Sequence, residues 1–95
     1  MNKIKKLATS VLRPGNKIFI RSVTNYYTGE IAEITNDWIV LINAAWIADT
    51  GRFSSALKTG KMEEIEPYPD GPVLINREVV IDVSIWNFAL PRKIV

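Results

Sequence analysis

Aromatic rings, guanidinium groups and turn-bound carboxylates are the parts of this sequence that can engage a ligand. Trp38, Trp46, Tyr26 and Tyr27 offer flat faces on which a base can stack, and Arg21 and Arg77 offer donors for a phosphate. Each also has a plainer use. A tryptophan flanked by Ile39 and Val40, or followed by Ile47, serves a core or a subunit interface, and strand arginines commonly face water. Among the carboxylates, Asp49 stands in the Asp49-Thr50-Gly51 run within residues 44–61. Glu63, Glu64 and Glu66 could hold a hard cation, but successive carboxylates on an exposed strand read better as a solubilising edge that blocks unwanted pairing. Cysteine and histidine are both absent, which removes disulfides, thiolate sites, the commonest general base and the commonest zinc ligand. The inventory suits a binder. No catalytic residue, metal site or cofactor is expected.

The elements that must position these groups fit in one domain of 95 residues, with 47% hydrophobic residues, enough for a thin core that partner subunits would supplement. The net charge of +2 permits nucleic-acid contact without arguing for it. No apolar run approaches the roughly 18 residues that span a bilayer, and the spaced apolar residues of 1–12 do not make a signal peptide. The expected address is the cytoplasm, with no membrane partner.

Ile4, Leu7 and Val11 recur at helical spacing among Lys3, Lys5 and Lys6, which predicts an amphipathic helix over 3–12, stopped by Pro14-Gly15. β-forming runs follow at 17–23, 30–34 and 38–42, with a turn at 25–29 and a tight polar turn at Thr35-Asn36-Asp37. Gly29 predicts a bulge or a close backbone approach. Residues 44–61 read as an inserted loop with one short helical turn, residues 62–66 as a strand, and 67–72 as turn chemistry. Residues 73–75 and 79–85 read as a hairpin. In its second strand Val79, Ile81, Val83 and Ile85 form one aliphatic face, which predicts half burial. Residues 87–95 read as an arm. The predicted fold is mainly β: a short helix, then five or six short strands that pack as two layers or a small barrel.

The block from Gly29 through Thr35-Asn36-Asp37 to Trp38, with the later Val73-Leu74-Ile75-Asn76-Arg77 turn, resembles the two motifs of the Sm-like family, above all its small phage-associated and bacterial members. That resemblance covers roughly residues 3–86. It implies a strongly bent five-stranded barrel whose copies pair edge to edge in a ring of about five to seven subunits, with single-stranded RNA bound at the two motif turns. Carried over by position, Trp38 falls where the family places a stacking side chain. Asn36 and Asp37 fall in the first turn, and Asn76 and Arg77 in the second. The chain departs from the family in three places: Ile39 replaces the base-reading asparagine, Asn76-Arg77 replaces arginine-glycine, with Asn76 expected to supply a left-handed turn, and the insertion at 44–61 between strands three and four is long. The expected function is a homo-oligomeric ring that binds single-stranded RNA; the alternative is a ring-forming structural or interaction protein of phage or bacterial origin that binds no nucleic acid. Asp49-Thr50-Gly51 also resembles the signature of retroviral-type aspartic proteases, but their glycine-rich flap is missing and Arg52 follows where a small residue belongs, so this likeness is set aside.

Overall fold

In the computed structural model, which describes the backbone of residues 3–95 and the side chains of residues 6–95, the β-forming runs join a single antiparallel sheet of six strands. The predicted faces of Lys3, Ile4 and Lys5 lie outside the described side chains. Helix α1 (Lys3–Val11) leads into β1 (Lys17–Ser22), β2 (Tyr26–Ile34) and β3 (Trp38–Asp49). Helix α2 (Phe53–Thr59), β4 (Glu64–Pro67), β5 (Val73–Asn76), a 3-10 turn (Arg77–Val79) and β6 (Val80–Ile85) complete the order. Among the described residues no helix is long and apolar enough to cross a membrane.

Neighbouring strands run β4-β3-β2-β1-β6, and β5 pairs with the other half of β3. The hydrogen-bonded circuit does not close, because no described strand joins β6 to β4 or β5. The sheet is nevertheless strongly curved. Ile75 of β5 and Val80 and Val83 of β6 come from opposite ends of the strand order, yet they pack on one core with Ile18, Ile31 and Leu41. The bend has a local cause. Pairing passes from Thr28↔Ala45 to Glu30↔Ile42, so β3 carries one extra residue there, and Asn43 adopts a positive φ of 50°. Opposite the bulge, a Cβ on Gly29 would sit 3.0 Å from Leu41 Cδ1, so the glycine allows the close approach that its place in the sequence predicts.

β1 alternates its faces, sending Ile18 and Ile20 into this first core and Phe19 into a second on the other side. The second core is built from Phe19, Ile47, Met62, Ile65 and Trp86 under Ala56 of α2. Trp86 stacks on Phe19 at 5.7 Å and meets Phe88 edge-on at 5.2 Å, while its Nε1 donates to Ala89 O at 3.1 Å.

Four expectations are corrected. Residues 44–49 are not loop: β3 continues through them, with Ala44, Ala45 and Ile47 buried where alanine's weak strand preference concealed the strand, and only α2 and its flanks form the insertion. Residues 26–29 are strand, since Tyr26, Tyr27 and Thr28 pair on both sides with β1 and β3. β5 and β6 are not a hairpin, because the 3-10 turn sends β5 to β3 and β6 to β1. The aliphatic face of β6 is not half-buried as a whole: Val79, Ile81 and Ile85 are exposed, with Ile81 at 57%.

Thr28 is fully buried toward the second core, and its hydroxyl has no hydrogen-bond partner. An isosteric Thr28→Val change removes that unmet polar group, so it is expected to stabilise the fold by about 1 kcal/mol, read as a higher midpoint in urea unfolding.

Candidate nucleic-acid interface

The turn between β2 and β3 is organised by Thr35. Its Oγ1 accepts from the backbone N–H of Asp37 at 3.2 Å and of Trp38 at 3.0 Å, while its own N–H donates to Trp38 O at 2.9 Å. This exposes Asn36 and Asp37 at the tip and starts β3 at Trp38, whose side chain is 39% exposed. The turn after β5 is organised by Asn76, whose Oδ1 accepts from the Glu78 N–H at 2.8 Å and caps the 3-10 turn. Asn76 has φ −67°, so the expected left-handed conformation is not used and the missing glycine leaves no strain.

Pairing of β3 with β5 brings the two turns together. Trp38 lies directly across from Asn76, Arg77 N donates to Asp37 O at 2.9 Å, and Arg77 Nη1 donates to Thr35 O at 2.7 Å. Because Asp37 and Arg77 are joined by a backbone bond, the Trp38–Asn76 pair is of the non-hydrogen-bonded type, in which side chains approach more closely. Ile39 and Leu41 face the first core, so alternation puts Trp38 on the opposite side of β3. All five residues singled out in the sequence therefore share one patch. Beside it a cleft of about 230 Å³ is lined by Ala8, Thr9, Leu12, Ile34 and Arg77.

The electrostatics of this patch are weak. Arg77 is the one cation on the two turns, against Asp37 and Glu78, and its guanidinium is already engaged by Thr35 O. Affinity here would come from stacking and hydrogen bonds more than from phosphate attraction. No family model matches the chain, and neither a curated protein nor a solved structure matches it.

The other aromatics and cations have different surroundings. Arg21 pairs with Asp82 at 2.5 Å across β1 and β6, and this hydrogen-bonded carboxylate raises the guanidinium pKa further. Tyr26 stacks on Phe19 at 5.6 Å, and Tyr27 packs against the first core. Trp46 is half-buried on β3 beside a shallow groove lined by Glu66, Pro67, Tyr68 and Pro69. The Asp49 carboxylate accepts from Gly51 N–H at 2.8 Å, a turn bond that leads into α2. Among the described residues, no three carboxylates gather as a metal site.

Thr35 is the site residue that sequence reasoning missed, although a threonine opening a polar turn is itself a recognisable signal. The exposure of Leu74 is also not legible in the sequence. This residue lies on an outer strand at 50% exposure, and nothing in the sequence alone marks β5 as an edge.

Proposed function

We propose that this chain is a ring-forming protein of the Sm-like kind, whose copies join edge to edge and whose paired turns bind single-stranded RNA. The observation that carries the reading is the pair of open edges. β5 and β6 lie on opposite sides of the sheet, and each has a strand on one side only. Trp86 N donates to Lys17 O, so alternation turns the backbone groups of Val83 and Ile85 outward, up to the bulge at Ile81 where the pairing with β1 shifts by one residue. On β5 the same reasoning from Arg77 N turns Leu74 and Asn76 outward. The exposed Leu74, Ile81 and Ile85, with a groove of about 460 Å³ between α1 and β6, add apolar surface to those edges. Two different open edges favour head-to-tail contact, which closes as a ring when the rotation allows. The strong curvature of the sheet is what such a closure needs.

RNA would bind at Trp38, Asn36 and Asp37 of one turn and Asn76 and Arg77 of the other. Because β5 is an edge, each copy would repeat this patch next to a subunit contact. Stacking contributes about 1–3 kcal/mol per base, so Trp38→Ala is expected to weaken binding of oligo-U or oligo-A by at least about fivefold. The check is fluorescence-anisotropy titration at low salt, with circular dichroism confirming that the variant is folded. If wild type binds neither oligonucleotide, the RNA reading is overturned and the ring reading is untouched.

One observation favours the second reading, a ring that serves structure or protein contacts alone: the two turns carry more negative than positive charge. On that reading Trp38 is contact surface, and wild type leaves both oligonucleotides unbound.

A further inference from the structure

Residues 87–95 are fastened across the second core. Lys17 Nζ donates to Phe88 O at 2.6 Å, Phe88 and Leu90 pack on the core, and Phe88 lies against the open Cα of Gly60. Further along, the Arg92 guanidinium donates to two backbone carbonyls, Ala44 O at 3.1 Å and Tyr68 O at 2.9 Å. Three residues later, Val95 and Ile65 exchange backbone bonds in both directions, Val95 N to Ile65 O at 3.0 Å and Ile65 N to Val95 O at 3.2 Å. That exchange is one rung of an antiparallel ladder on the outer side of β4.

The rung falls at a decisive place. Tyr68 N donates to Ala44 O, so alternation turns Glu66 and Glu64 toward β3 and leaves Ile65 and Pro67 facing outward. Proline has no N–H, so Ile65 supplies the outward donor of β4, and Val95 takes it. β4 and β5 lie on the same side of β3, so a vacated β4 would lengthen the edge that β5 already presents.

We infer that the outer edge of β4 is a strand-acceptor site, built from the two-carbonyl socket for Arg92 and the Ile65 rung, and that residues 92–95 occupy it and keep a second copy of the chain from pairing there. The occupant that would take a vacated edge is β6 of that second copy, with its outward Val83 and Ile85. This extends the edge-pairing reading, but its test compares variants and works whatever mass wild type has.

The test uses the full chain carrying Arg92→Ala and Val95→Pro together, which removes the two guanidinium bonds and the donor to Ile65 O. Amide hydrogen exchange at Ile65 and sedimentation velocity over a concentration series are measured beside wild type and a Lys93→Ala control. The Ile65 amide is expected to exchange at least about tenfold faster in the double variant, with larger particles than wild type at equal concentration, while Lys93→Ala matches wild type in both. Unchanged Ile65 protection would overturn the seating of the arm. A freed Ile65 amide with an unchanged particle size would overturn the second copy as occupant. Failure of the ring reading shows separately, in the mass of wild type alone.

Discussion

Replacing Ile81 with aspartate is expected to leave a folded monomer of 10.7 kDa in place of the proposed ring. Ile81 is 57% exposed in the single chain, so the change costs the isolated fold no more than an ordinary surface substitution, within about 0.5 kcal/mol. Between copies the position is different. Ile81 stands at the bulge of β6, and its exposed side chain lines the groove beside α1, so pairing there would bury an unpartnered carboxylate at a penalty of several kcal/mol. Every 1.4 kcal/mol shifts association about tenfold, and a ring suffers the loss at each contact. Sedimentation velocity of the two proteins at equal concentration, with matched circular dichroism melts, reads the effect. Leu74→Asp should act in the same way from the opposite edge. An equimolar mixture of the two variants is expected to give dimers, because one keeps an intact β5 edge and the other an intact β6 edge. A symmetric contact would not produce that complementation.

Trp86→Ala is expected to be the most damaging single change to the fold, lowering stability by about 3–5 kcal/mol. Trp86 is 2% exposed and joins β6, β1 and the arm: it stacks on Phe19, meets Phe88 edge-on and donates to Ala89 O. Truncation would leave a cavity in the second core and remove the anchor that directs residues 87–95 back over the sheet. For a domain whose total stability is about 5–15 kcal/mol, that is a large fraction. Chemical denaturation reads the loss directly. A change below about 1 kcal/mol would mean that α2 and the arm hold the second core without the indole.

These two positions show what the sequence made legible. The sequence at 79–85 has a strand period, but a bulge at Ile81 breaks the alternation in β6, so Val80 and Val83 reach the first core while Ile81 and Ile85 are exposed. Periodicity reports that a face is apolar. It does not say whether the covering surface belongs to the same chain. Trp86, just past β6, closes the second core, because the arm and α2 cover the far side of the sheet and nothing local to residue 86 announces them. β3 was shortened for a different reason. Its second half contains Ala44 and Ala45, which are weak strand formers but are buried beyond the bulge at Asn43, where β3 pairs with both β2 and β4. The candidate patch was more legible than the elements around it. Asn36, Asp37, Trp38, Asn76 and Arg77 do meet through β3–β5 pairing, whereas the bonds from Thr35 that lock the two turns became visible only with the side chains in place.

Native mass spectrometry of wild type at tens of micromolar tests most directly whether copies join through the open edges of β5 and β6. A single species at about five to seven times the chain mass of 10.7 kDa is the predicted result. A spectrum containing the monomer alone, at every concentration tried, would contradict it.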